Sequence, residues 1–450
     1  MLRATQLLLT YFYAVLPVAM CAWVVLGRHR HRRASRIVSL ILLGIAGSAA
    51  GVCVILVYQR LVGGRTPPAE WFYLIHTLFA VLLVLRFIDR ISLRLTFAAL
   101  DVKVDSQGRP RDRRHIRGLA GLLVQRLFMV AVTVPYVCGF LWTYRPRTLQ
   151  PVHDGVVEGR HEIAWFTAQD GTQLFGWWQP ADRMPGGLDP DTADRWGQHT
   201  VLLCHGVGGG KETQANFARF LNAEGYNVLL FDFRGYGDSG GNWISYGDRE
   251  RADVLAAATW IKANHAQEAQ LLYGIGVNTG AVALLGATAQ SQGQFDGLVL
   301  IEPFADFDEL ARTCSTRLLP DYARVLAIDL ALPVASLHAG ADLRKLKPVE
   351  WAARAWPSPI LVIHGNGLAF VPAYQSMNVF QQAFFPKDQF WPSENWSSSR
   401  KRIRQAGGDG ALLAELFRQW ASVAAGVTED RGVLYQILRF LENARPVPVL

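Results

Sequence analysis

The chain of 450 residues reads as two consecutive parts. Four apolar helices long enough to span a membrane come first, and an α/β domain built on a doubly wound, mostly parallel sheet follows. Three observations predict this. Half of the residues are apolar and only 18% are charged, against roughly 25% in soluble globular chains, which excludes disorder, collagen and coiled coil and favours membrane segments. The charge is unevenly divided: residues 1–150 hold 20 Lys/Arg against 5 Asp/Glu, and residues 151–450 hold 25 against 32. The formal excess of +8 therefore sits beside the apolar runs, where it is topogenic, and no basic domain is left to hold nucleic acid. Finally, from about residue 160 short apolar runs alternate with helix-period segments.

Apolar runs at about 6–27, 37–58, 71–88 and 127–144 come close to the ~20 residues that a spanning helix needs. The first has no small-x-small cleavage site, and Met20 precedes Cys21, so it reads as an uncleaved helix. The loop Arg28-His29-Arg30-His31-Arg32-Arg33 has no acid, and the stretch from Arg86 to Arg117 carries nine basic residues against four Asp. By the positive-inside rule these loops are cytoplasmic, which predicts a multi-pass protein of a bacterial inner membrane with both termini and the polar part on the periplasmic side. Gly47-Ser48-Ala49-Ala50-Gly51 is a helix-packing face. Arg86, Arg90 and Arg94 fit either contact with anionic membrane lipids or snorkelling at a helix end. His76 is the sole ionisable residue well inside a span and fits a proton or ligand site or a packing role.

In the polar part, His161–Phe166 and Thr172–Gln179 flank Asp170-Gly171 as a hairpin. Thr200–Cys204 and Asn227–Phe231 are buried strands around a helix at Thr213–Ala223 that closes at Gly225. Further strands fall at 270–275, 297–301 and 359–363, and further helices at 248–264, 280–290, 373–384 and near 411–443. Residues 303–350 form an insertion able to cap a pocket. The five cysteines show no CxxC or Cys/His spacing, so neither a disulfide framework nor a metal site is expected, and no cofactor is implied. Gly206–Gly210 is glycine-rich, but Lys211 is followed by Glu212, so no nucleotide-binding loop is completed.

Cys204-His205-Gly206-Val207-Gly208-Gly209-Gly210, then Phe231-Asp232-Phe233-Arg234-Gly235-Tyr236-Gly237-Asp238-Ser239-Gly240-Gly241, resembles the α/β-hydrolase superfamily. The nearest likeness is to its membrane-anchored serine-hydrolase branch. Glu302-Pro303-Phe304 and Pro359-Ile360-Leu361-Val362-Ile363-His364-Gly365 continue the resemblance, which covers about 160–445. It implies a Ser nucleophile on a sharp strand-to-helix turn, a base, an orienting acid and an oxyanion hole of backbone N–H groups. The turn here is Gly276-Val277-Asn278-Thr279-Gly280, with Asn278 in the nucleophile's place. Leu368 stands at the acid position, and either Trp396 or Asp409 at that of the base, since no His follows His364.

An amide is no nucleophile at neutral pH, and all three replacements together predict a catalytically inactive member of the family. Val207 and Thr279 hold the oxyanion positions that the resemblance implies, so an acyl or lipid ligand could bind beside Asn278. Cys204 and Glu302 are the candidates for relocated chemistry, with a buried inert thiol and ordinary strand-end geometry as the plain alternatives. The expected function is that of a membrane-anchored protein that binds a ligand or an envelope protein partner, or acts as a scaffold at the cell envelope. An active membrane-bound esterase, lipase or acyltransferase with a relocated non-standard site, and a small membrane transporter or channel subunit with a regulatory outer domain, are the other readings.

Overall fold

The computed structural model describes residues 161–316 apart from 187 and 189, then 328–365, 371–390 and 431–444, together with 106, 107 and parts of 135–144. The chain divides into two compact units, Met1–Val137 and Cys138–Leu450. In the second unit eight strands form one sheet: β1 (Glu162–Thr167), β2 (Gln173–Gln179), β3 (His199–Cys204), β4 (Asn227–Asp232), β5 (Leu271–Val277), β6 (Gly297–Ile301), β7 (Ile360–Ile363) and β8 (Lys387–Phe390). Their order is β1-β2-β4-β3-β5-β6-β7-β8. β2 runs antiparallel to both β1 and β4, and the remaining pairs are parallel.

Every residue of β3, β4, β6 and β7 is buried. This is why these strands are apolar throughout rather than alternating: both faces are covered by helices. The helices are α1 (Pro190–Arg195), α2 (Ala215–Ala223), α3 (Glu250–Asn264), α4 (Thr279–Gln290), α5 (Phe307–Thr316), α6 (Ala331–Ala339), α7 (Val349–Ala352), α8 (Ala373–Gln382) and α9 (Arg431–Asn443). Leu202, Leu229 and Leu298 look to one face and meet Val254, Ala257 and Ile261 of α3 with Leu284 and Leu285 of α4. Their strand neighbours Val201, Val228 and Val299 look to the other and meet Phe217 and Leu221 of α2 with Val433, Ile437 and Leu441 of α9. Among the described residues the stretch between β6 and β7 holds α5, α6 and α7.

The strand–helix alternation therefore matches the sequence expectation. β8 was not anticipated: Lys387-Asp388-Gln389-Phe390 has no apolar rhythm because it is a half-exposed edge, made a strand only by its pairing with β7. The hairpin at Asp170-Gly171 closes with Gly171 at φ +83° and its N–H donating to Ala168 O at 2.9 Å.

The membrane expectation is corrected. Among the described residues no helix is long and apolar enough to cross a membrane. The membrane-anchored branch, the four-helix transmembrane region, the membrane-lipid partners and the inner-membrane and periplasmic placement are withdrawn with it, as are the transporter reading and the membrane anchoring of the scaffold and esterase readings. The runs at 6–27, 37–58 and 71–88, with Gly47–Gly51, His76 and Arg86, Arg90 and Arg94, lie outside the described residues. The end of the run at 127–144 shows why apolar character alone misleads. Its apolar groups are used against protein: Phe140 meets the edge of the Trp243 ring at 5.5 Å, and a Cβ on Gly139 would lie 2.9 Å from the Ala331 carbonyl. Thr143 O accepts from Ile244 N–H at 2.9 Å, and Trp142 O from the Tyr246 hydroxyl at 2.7 Å.

Two buried cations hold the loops at the ends of β3 and β4. Lys211 is 1% exposed; its Nζ lies 2.6 Å from Asp232 Oδ2, 2.9 Å from Glu212 and 3.3 Å from Asp238, and it sits 4.7 Å above the Trp177 ring. Burial alone would lower the pKa of this ammonium, but Asp232 and Glu212 outweigh burial and hold it above its ordinary value. Arg234 bridges Asp253 on α3 to Asp170 in the hairpin. Replacing Lys211 by Met leaves the fully buried Asp232 without its counter-charge. Urea unfolding of Lys211→Met should show a loss of about 3–5 kcal/mol; a loss below about 1 kcal/mol would show that the pair does not hold the loop.

Candidate functional site

The C-terminal ends of β3, β5, β6 and β7 lie side by side, with Cys204 opposite Gly276, Val277 opposite Ile301, and Ile301 opposite Ile363. The next residue of each strand is thereby delivered to one edge: His205, Asn278, Glu302 and His364. At Asn278 the chain passes from β5 to α4 with φ +51° and ψ −110°, a positive φ outside the left-handed helical region; Asn is among the few non-glycine residues enriched at positive φ. Its N–H donates to Ile301 O at 2.7 Å and its carbonyl accepts from Val282 N–H at 3.1 Å. The flanking glycines are demanded by close backbone approach. A Cβ on Gly276 would lie 2.6 Å from the Ala281 backbone, and one on Gly280 would lie 2.3 Å from Cys204 O and 2.5 Å from His205 O.

Asn278 and Thr279 are 7% and 5% exposed, and the Thr279 hydroxyl lies 3.3 Å from Asn278 Oδ1. The β3 loop flanks them, since a Cβ on Gly206 would lie 3.4 Å from Asn278 Cβ. The chain neighbours of that contact, Val207 after Gly206 and Thr279 after Asn278, are the two residues expected to supply oxyanion N–H groups.

The histidines are engaged in the fold. His205 Nδ1 lies 2.9 Å from Gly206 O, and its Nε2 accepts from Phe233 N–H at 3.0 Å, so the proton is on Nδ1. Burial lowers its pKa, and the ring is neutral. His364 Nδ1 lies 2.8 Å from Ser376 Oγ, whose hydroxyl donates to Pro303 O at 2.8 Å. The Ser376 oxygen is therefore the acceptor, and burial brings the His364 pKa down to about 4. Cys204 is completely buried, and burial, with Asp253 adding to it, pushes its pKa far up. It remains a thiol rather than the thiolate that a nucleophile requires.

Glu302 differs from these. It is 5% exposed and adopts φ +50°. Burial raises its carboxyl to about 7, against a smaller opposing contribution from the Gly365 N–H bonded to it. Among the described residues its Oε2 is the one buried carboxyl oxygen without a hydrogen-bond partner. The sequence could not distinguish this from a plain strand end, because neither the positive φ nor the missing partner leaves a mark in Glu302-Pro303-Phe304. Leu368, Trp396 and Asp409 lie outside the described residues. Among the described residues no cluster of His, Cys, Asp or Glu could hold a metal ion.

Residues 197–344 match the family model described as serine aminopeptidase, S33. Among curated proteins, Rv2307c of Mycobacterium tuberculosis is 28% identical over 271 residues, covering 58% of this chain and 82% of that one. YqkD of Bacillus subtilis is 30% identical over 192 residues, 42% of this chain and 61% of that protein. The lysophosphatidylserine lipase ABHD12 of Mus musculus is 27% identical over 209 residues, 43% of this chain and 48% of the lipase. Among solved structures, the Pyrococcus furiosus esterase Pf2001 is 19% identical, with a TM-score of 0.44, covering 62% of this chain and 98% of that one. The strand order and the family match together give this chain an α/β-hydrolase-like fold.

The raised Glu302 pKa predicts a pH signature. Between the ordinary value of 4.5 and about 7 the folded chain retains a proton that the unfolded chain releases. Stability from this group is therefore fully present below 4.5 and is lost as pH rises towards 7, on the order of 3 kcal/mol. Glu302→Gln cannot ionise, so urea unfolding should show the variant gaining on the wild type by that amount between pH 4.5 and 8. A difference that stays constant across this range would show that Glu302 ionises normally.

Proposed function

We propose that this domain binds a ligand carrying an acyl carbonyl at the edge formed by Val207, Asn278, Thr279 and Glu302, and that it does not cleave it by Ser-His-acid chemistry. The observation that carries this reading is Asn278 at φ +51°. The strand-to-helix turn of a serine hydrolase is kept, together with both close-approach glycines, while the side chain at its apex is an amide with no nucleophilic lone pair.

Binding draws support from the donors beside that amide. The Thr279 N–H opens a helix of 12 residues, where the backbone dipole and unpaired N–H groups favour a ligand oxygen. The Val207 loop lies against the other side. Two matched descriptions, a serine aminopeptidase family and a lysophosphatidylserine lipase, concern proteins of acyl chemistry and agree with a ligand of this class.

The test uses the purified full chain with a fluorophosphonate probe and with p-nitrophenyl esters of short and long acyl chains. No labelling is expected, and ester hydrolysis no faster than in buffer, while calorimetry with a non-hydrolysable acyl ketone shows saturable binding that Asn278→Trp abolishes by filling the edge. Stoichiometric labelling, or turnover that Asn278→Ala removes, would overturn the proposal in favour of an enzyme.

A further inference from the structure

The unpartnered oxygen of Glu302 bears on which acyl compound the edge prefers. The strands run in the order β3-β5-β6, so the Val207 loop and Glu302 lie on opposite sides of Asn278. A carbonyl group seated over Asn278 with its oxygen towards Val207 and Thr279 must turn its other substituent towards β6. One side of the Glu302 carboxyl is already occupied, by the Gly365 N–H at the end of β7, and Oε2 is left without a partner.

Chemistry selects among the acyl classes. Ionised, as it is above a pKa of about 7, the Glu302 carboxylate offers only acceptors, and Oε2 takes an N–H. The alkoxy oxygen of an ester has no hydrogen to offer, and a free carboxylate would set two negative charges against each other.

Resting on the acyl-binding reading above, we propose that this edge is a carboxamide site: the ligand carbonyl accepts from the Val207 and Thr279 N–H groups, and the ligand N–H donates to Glu302 Oε2. Glu302 is then the residue that sets amide against ester, a partition that retention of the elbow alone does not require. It also satisfies the single buried carboxyl oxygen that the fold leaves without a partner among the described residues.

The test measures binding of N-methylhexanamide and methyl hexanoate, matched in shape, to the full chain by calorimetry at pH 8.5, where the Glu302 carboxyl is ionised. The wild type should bind the amide about tenfold or more tightly than the ester, the effect of one hydrogen bond to a carboxyl group. In Glu302→Gln, Gly365 N–H retains the amide oxygen and the NH2 group turns to the ligand, donor against donor, so the preference should disappear. Equal affinity for amide and ester in the wild type overturns the carboxamide assignment while acyl binding stands. A preference that survives in Glu302→Gln overturns the role of Glu302, and absence of binding by either compound removes the acyl-binding reading as well. The wild-type ratio decides by itself if the variant does not fold.

Discussion

Everything at the strand-end edge depends on how closely the first turn of α4 approaches the end of β3. Gly280 has the Cys204 and His205 carbonyls within the space a side chain would take, and Gly276 has the Ala281 backbone there. This contact of backbone on backbone fixes the separation between the Val207 loop and the α4 N-terminus, and it forces the connecting residue into a positive φ. Asn278 meets that demand with a short polar side chain, of a type enriched among non-glycine residues at positive φ. The turn is thus specified by sterics, and the identity of the apical side chain is free to vary without loss of the fold.

The polar groups around the edge are mostly spent on holding it. His205 uses both ring nitrogens to join the β3 loop to Phe233 beyond β4, and His364 ties β7 through Ser376 to the chain after β6. Lys211 and Arg234 gather acids from separate loops. Such buried pairs add little net stability, but breaking one strands a charge, so they fix loop positions more than they strengthen the fold. Glu302 is the exception: an oxygen left unbonded in a buried site costs about 1–3 kcal/mol, and nothing in the described fold offsets this.

Much of the domain was legible in the sequence because parallel strands covered on both faces are written as unbroken apolar runs, as in Val201-Leu202-Leu203 and Val228-Leu229-Leu230-Phe231. The elbow was legible because glycine at 276 and 280 and Asn at 278 report a conformation directly. What escaped was decided by tertiary contact. The half-exposed Lys387–Phe390 becomes a strand only through β7. Lys211, judged only as a failed phosphate-loop lysine, is buried between its neighbour Glu212 and two acids, Asp232 and Asp238, brought from 20 or more residues away. The apolar run ending at Tyr144 carried a hydropathy signal that does not say whether its partner is lipid or protein, and at Gly139, Phe140 and Trp142 the partner is protein.

Asn278 and Glu302 are two of the three non-glycine residues with positive φ among the described residues, and they occupy adjacent strand ends. Glycine would relieve the backbone at either position, and strain of this kind costs of order 1–3 kcal/mol where a side chain is retained. A strand edge serving only to close a core would gain from glycine at both positions, and from an apolar residue in place of the unpaired carboxyl. The chain instead holds an amide and a carboxyl there, beside two backbone N–H groups, with the nearby imidazoles and thiol neutral. That combination is poor for packing and for nucleophilic attack. In the proposed carboxamide site it receives a planar polar group with an acceptor on one side and a donor on the other.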